Sequence, residues 1–183
     1  MNKIFKEDYY AFYGENWSLI GGVKRILSNR DLRYVFVGRA SVYSSNPVIR
    51  SIFRIMRHRM AVNRCSEISF QNIAGGFHLS HGNAIVINAQ AKIGANCSLR
   101  NGITIGVEMR GARKGSPTIG DRVWIGPSAT IVGKVVIGND VLIGANTYVN
   151  FDVPDHSIVI GNPGKIIHKD NATEAYITNI VEN

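Results

Sequence analysis

From residue 119 onward, aliphatic side chains recur every six residues: Ile119, Ile125, Ile131, Ile137, Ile143 and Val149. Glycine directly follows four of them, as Gly120, Gly126, Gly138 and Gly144, and the same phase runs upstream through Ile87, Ile93, Leu99 and Ile105. An α-helix turns once in about 3.6 residues and cannot hold this spacing on one face. In extended chain six is an even number, so each repeat returns its aliphatic side chain inward, provided one turn falls in each repeat. Stacked strands of this kind bury one continuous column while each repeat touches its neighbours, which is the signature of a parallel β-helix. The fold is therefore expected to be mainly β.

Two departures from the period are expected to be loops at corners of this solenoid. Fourteen residues separate Ile105 from Ile119, which is two repeats plus two residues, and the intervening "GVEMRGARKGSP" is polar, basic and rich in glycine. At "AIVIN" the upstream phase of Ile73, Leu79 and Ile85 shifts by two to rejoin Ile87.

Residues 1–64 lack the repeat and read as an α-helical region, followed by the β-helix over 65–167 and a short helical or loose tail over 168–183. "NPVIRSIFRIMRHRM" offers Asn46 as N-cap, Pro47 in the first helical position, and apolar residues interleaved with Arg50, Arg54, Arg57 and Arg59. Its apolar face is expected to cap the open end of the β-helix, whose first strands need cover. A second expectation is contact with the inner face of the cytoplasmic membrane. All of the net charge of +8 lies in this region, with twelve Lys and Arg against four Asp and Glu, while residues 65–183 carry nine of each. No nucleic-acid module accompanies the basic segment, so no nucleic acid is expected as a partner.

The chain has no run of 18 apolar residues, and its N-terminus carries acids and aromatics where a signal peptide needs a plain apolar stretch, so a cytoplasmic location is expected. Cys65 and Cys97 lie outside any metal-binding or paired spacing and read as reduced packing residues. Trp124 and Tyr148 read as surface aromatics or subunit contacts. Of five histidines, His78 and His81 stand three apart, an odd spacing that sends their side chains to opposite faces of an extended segment unless a turn intervenes. A metal pair would need a third ligand, and His58, His156 and His168 are remote in sequence, so no metal is expected. The pair is then either a catalytic base with a bystander or two polar residues that lie near each other.

"HGNAIVINAQAKIGANCSLRNGITIG", "PTIGDRVWIGPSATIVGKVVIGNDVLIGANTYV" and the ending "VPDHSIVIGNPGKII" together resemble the hexapeptide-repeat acyltransferases, within them the serine O-acetyltransferase family, and most of all its short bacterial relatives in capsule and colanic-acid gene clusters. "EDYYAFYGENWSLIGGVKRILSNRDLRYVFVGRAS" is similar to the helical segment of the same family. The resemblance implies a left-handed β-helix, acetyl-CoA as co-substrate, and a homotrimer, with a dimer of trimers as a further form, whose sites lie between adjacent prisms. It implies His81 as the base that deprotonates an acceptor hydroxyl, with Glu67 orienting it. It implies a pantetheine channel lined by the backbone at Gly106, Gly126, Ala129, Gly144 and Ala145, with Lys165 and Lys169 near the phosphates of CoA. Asn16, Arg39 and His78 fall on the acceptor side, and the excursion brings Arg110 to its entrance.

The likeness has departures. Gly115 and Ser116 stand where the family has an Arg-His pair before the proline, Asn16 replaces an acid, Ser80 replaces the aspartate beside the histidine, and Glu67 matches only across a one-residue deletion. An arginine for a substrate carboxylate and an acid for its ammonium are thus missing from those positions. The expected acceptor is accordingly a hydroxyl of a surface-polysaccharide sugar, with L-serine as the alternative and a non-catalytic trimeric scaffold as the second alternative.

Overall fold

The computed structural model describes residues 3–182. Four helices come first: α1 (Lys3–Tyr13), α2 (Leu19–Ser28), α3 (Arg30–Tyr43) and α4 (Pro47–Asn63). Asparagine caps start the last two. Asn29 Oδ1 accepts from the amides of Asp31 and Leu32, and Asn46 Oδ1 from those of Val48 and Ile49, satisfying N–H groups a helix start leaves without partners.

Fourteen short strands follow: β1 (Glu67–Ile68), β2 (His78–Leu79), β3 (Val86–Ile87), β4 (Lys92–Ile93), β5 (Ser98–Leu99), β6 (Thr104–Gly106), β7 (Thr118–Ile119), β8 (Val123–Ile125), β9 (Thr130–Val132), β10 (Val136–Ile137), β11 (Val141–Ile143), β12 (Tyr148–Val149), β13 (Ser157–Ile160) and β14 (Lys165–His168). They form three sheets: β1-β3-β6-β9-β12, then β4-β7-β10, then β2-β5-β8-β11-β13-β14. Each turn of the chain visits the first, second and third sheet in that order. All pairings are parallel except β13 with β14, which folds back and closes the last coil. The periodic column lies inside, with Ile87, Ile93, Leu99, Ile105, Ile119, Ile125, Ile131, Ile137, Ile143 and Val149 all at most 3% exposed. At the edge between third and first sheets a Cβ on Gly126 would lie 2.7 Å from the amide nitrogen of Ala145 in the next coil, so only glycine lets the coils stack this closely.

The register changes the reading of the excursion. Ile105 pairs with Ile131 and Ile93 with Ile119, so Ile105 and Ile119 stand on successive sides of one coil. One side takes six residues, so the fourteen between these positions make an eight-residue insertion at the corner of the first and second sheets, where two were expected. A six-residue period cannot distinguish a skipped side from a longer loop; only strand pairing does. Within the insertion Glu108 and Gly115 exchange backbone hydrogen bonds, making a small antiparallel tongue.

The end of the β-helix is capped mainly by α3, with only Met60 and Ala61 of α4 packing beside it. Tyr34 and Val35 of α3 join the main core, and Gly38 approaches Phe70 so closely that an added Cβ would stand 2.3 Å from its ring. α4 packs on the outside of α3, buries no residue fully, and leaves Val48, Ile49, Ile52, Ile55, Met56 and Val62 exposed. The arginine-rich segment reads as a cap because it is amphipathic, yet α3 has already covered the open coil.

Residues past β14 are a strap, not a loose tail. The Asp140 carboxylate accepts from the amides of Ala172 and Thr173 and from the Thr173 hydroxyl at 2.6 Å. Tyr176 packs edge-on against Trp124, which is 9% exposed and so a covered residue rather than a surface one. Asn96 then exchanges two hydrogen bonds with the backbone of Val181, and Asn179 donates to Ala11 O, tying the strap to α1. Cys97 is in the core as expected, but Cys65 is exposed.

Candidate active site

At the edge between the third and first sheets the coils turn on a column of left-handed residues: Cys65 (φ 49°), Ala84 (53°), Gly102 (72°), Ser128 (58°) and Asn146 (56°). From Ala84 onward each donates its amide to the coil before: Ala84 to Arg64 O, Gly102 to Asn83 O, Ser128 to Asn101 O, Asn146 to Pro127 O. The strand before each turn ends on an equivalent donor, namely Ser80, Arg100, Gly126 and Gly144. Two positions separate this donor from the turn residue in the later coils, but four separate Ser80 from Ala84. The phase shift at "AIVIN" is therefore a two-residue insertion in the corner, and His81 sits in it.

His81 is exposed and itself left-handed, at φ 56°, and its carbonyl accepts from the Asn83 amide at 2.7 Å. The inserted turn is gripped by Arg64, whose Nη1 donates to Gly82 O and, at 2.8 Å, to Asp31 Oδ1, while Nη2 donates to Arg30 O at 2.7 Å. Neither Arg64 nor Asp31 stands out in the sequence. The only signal is the shift of phase, which marks where an unsupported turn needs a partner.

His78 points elsewhere. Leu79 faces the core, so His78 lies on the outer face of the third sheet, edge-on to Phe12 of α1 with centroids 4.5 Å apart and with Nδ1 3.0 Å from Ser98 Oγ. It lines a cleft of about 200 Å³ closed by α1 and the strap. Burial, then the charge of Arg100, hold its pKa down at about 4, with Asp31 acting weakly the other way. No hydrogen bond joins His78 and His81 among the described residues: one is on the sheet face and the other in the inserted turn. Among the described residues no three His, Cys, Asp or Glu side chains come together to hold a metal ion.

Arg39 cannot contact a substrate. It is 1% exposed, and its five N–H groups go to Asp8 Oδ1 and Oδ2 and to the carbonyls of Phe70, Ile73 and Ala74. It is a buried bolt between α1, α3 and the first coil. Glu67 does not orient His81 in the single chain: no hydrogen bond or ion pair joins them among the described residues, and Glu67 faces a cleft of about 590 Å³ with Arg57, His58 and Cys65. Asn16 and Arg110 are exposed, in the bend after α1 and in the excursion.

The residues expected along a pantetheine channel divide. Gly126, Gly144 and Ala145 lie on the His81 edge, in later coils. Lys165, paired with Ile160, lies at the end of β13 that leads to this edge, whereas Lys169, whose amide donates to His156 O, lies at the other end. Gly106 stands on the neighbouring edge, where the excursion leaves. Ala129 is wholly inside the core, and the amides of Gly126 and Gly144 are already bonded to Ile143 O and Val159 O, so these amides are not donors for a ligand.

A parallel β-helix built on a six-residue period is the hexapeptide-repeat architecture, and residues 116–150 match the family model described as bacterial transferase hexapeptide (six repeats). The chain is 37% identical over 166 residues to a serine acetyltransferase of Bacillus pumilus, covering 90% of this chain and 76% of that one. It is 37% identical over 98 residues to a serine acetyltransferase of Helicobacter pylori, covering 54% of this chain, and spans 57% of the length of that relative. Among solved structures, a serine acetyltransferase of Brucella abortus in complex with coenzyme A superposes with a TM-score of 0.75 at 21% identity, over 91% of this chain and 67% of that one. The protein belongs to the serine acetyltransferase family, and its solenoid is the left-handed β-helix of these neighbours.

Proposed function

We propose that this protein is an O-acetyltransferase that uses acetyl-CoA, with His81 as the general base. The observation that carries this reading is the insertion that lifts His81 alone out of an otherwise regular edge, in a chain of this family. A solvent-exposed imidazole is suited to take a hydroxyl proton at neutral pH. The acceptor oxygen attacks the thioester carbonyl as its proton passes to the imidazole. The tetrahedral intermediate then collapses, and the departing thiolate takes that proton back, leaving the acetyl ester and free CoA. No acyl-enzyme is needed, and the thiol of Cys97, pushed up to about 12 by burial, is unsuited to form one.

For the acceptor, the comparisons favour L-serine over a polysaccharide sugar, since the relatives reported above carry the serine name. The sugar reading stands on the likeness to capsule-cluster relatives and on departures at Asn16, Ser80, Gly115 and Ser116, and the Ser116 hydroxyl is engaged by Asn88 Oδ1 at 2.9 Å. Cations of the excursion, among them Arg110, are available to a substrate carboxylate at its tip. A trimer would bring a second prism against the His81 edge and enclose it. The exposed, acid-free face of α4, with its four arginines, is further inferred to meet an anionic membrane surface; no described helix is long and apolar enough to cross one.

Release of free thiol from acetyl-CoA tests the activity. L-Serine should support turnover, and His81→Ala should lower kcat by about 10²-fold or more. Equal rates in both proteins would sink the base. Turnover with capsular sugars and none with serine would restore the sugar reading, and no turnover with either would leave the scaffold.

A further inference from the structure

We propose that Arg64, held by Asp31, is the positioning residue of His81; this rests on His81 being the base. The inserted turn lacks what orders the rest of the edge. In later coils the turn residue lies two positions from the strand-end donor, and the ladder of amides leaves little freedom. Around His81 the gap is four, and the ladder touches the insertion only at its flanks, through Ser80, Asn83 and Ala84. His81 is also held left-handed, a conformation that an L-residue keeps only where its surroundings impose it. Among the described residues no acid supplies the alternative support, a carboxylate on a ring nitrogen of His81.

Arg64 supplies it through the backbone. The side chain donates to Gly82 O, and the Arg64 carbonyl accepts from the Ala84 amide at 2.8 Å, so one residue brackets the insertion from both sides. The guanidinium is itself fixed: Asp31 Oδ1 at 2.8 Å, Arg30 O at 2.7 Å and the face of Tyr34, centroid 5.1 Å away, surround it. It is 5% exposed, too buried to touch a substrate, and so acts only through the turn. Because Arg64 caps the C-terminus of α4 and Asp31 lies in the first turn of α3, the clamp sets the helical region and the His81 turn in one geometry. A bidentate guanidinium fork can span carboxylate and carbonyl at once, whereas an ammonium acts as a single point.

The test uses the full chain with Arg64→Met, Arg64→Lys and Asp31→Asn, measuring kcat and the KM for acetyl-CoA by thiol release, with thermal melting as the fold control. We expect kcat to fall roughly ten- to a hundredfold in Arg64→Met and Asp31→Asn, with KM changed by less than about twofold and partial recovery in Arg64→Lys. Hydrogen exchange at Gly82, Asn83 and Ala84 should quicken while that at Ile85 and Ile87 does not. A folded Arg64→Met protein with kcat near wild type overturns the proposal. If that variant does not fold, a wild-type kcat in Asp31→Asn overturns it, and a loss of kcat at unchanged KM supports it. Wild-type turnover in His81→Ala brings down the base and the positioning role together, whereas a dead His81→Ala beside a fully active Arg64→Met brings down the clamp alone.

Discussion

Three residues that look alike in sequence, His78, His81 and Arg39, have three different situations. His81 is exposed in an inserted turn, Arg39 has every donor satisfied inside the protein, and His78 is kept neutral beneath α1. The last has a consequence for pH. The folded state holds the His78 pKa at about 4 against an unfolded value near 6.5, so between these values the unfolded chain binds more protons. Stability contributed by neutral His78 is therefore complete above about pH 6.5 and is lost as pH falls towards 4, by up to about 3 kcal/mol. Chemical denaturation across this range should show the loss in the wild type and a flatter profile in His78→Gln; equal slopes would mean that the ring is not buried as described. The outward direction of His78 followed from strand alternation, whereas that of His81 is set by the inserted turn. The role of Arg39 was not, because nothing local tells a buried arginine from a binding one until Asp8, sixty-nine residues before Phe77 in sequence, is seen to bond to the Phe77 amide and Arg39 alike.

At the scale of elements, the regular coils followed from the six-residue period, because every side repeats one packing environment. The irregular elements did not. The excursion was visible as polar and glycine-rich, yet its length depended on strand pairing. The strap carries no period at all and is ordered by Asp140, a buried carboxylate satisfied by Ala172, Thr173 and His156, whose Nδ1 lies 2.9 Å away. Asp140→Asn removes the charge from these bonds and should cost about 1–3 kcal/mol. Limited proteolysis should then cut the strap, residues 171–182, well before the β-helix; unchanged cutting would show that Tyr176 and Asn96 hold it without the carboxylate.

For the whole molecule, the charge asymmetry and the exposed apolar side chains coincide. Leu19, Ile20, Val23 and Leu27 of α2 and six large apolar residues of α4 face outward, in the region that holds all of the net positive charge. Burying such side chains is worth about 25 cal/mol per Å², so a monomer leaves considerable association energy unused. The membrane reading expects cosedimentation with vesicles containing phosphatidylserine that weakens as salt rises, and that is lost when Ile52 and Ile55 are replaced by serine. Absence of binding, together with protection of an Ile52→Cys thiol in the assembled protein, would assign the face to a subunit contact instead.

The sequence by itself determined the β-helix and the helical start, because each is carried by a pattern within a few residues, a period or a cap, while the histidine on which the function is proposed was singled out by likeness to the family. Tertiary structure alone decided that α3 carries most of the cap, that Arg39 is a bolt, that no hydrogen bond joins Glu67 to His81 among the described residues, and that Arg64 and Asp31 bond around the inserted turn. Those relations join side chains from separate coils and helices, and which of them meet is decided by stacking register and burial, which no local pattern encodes.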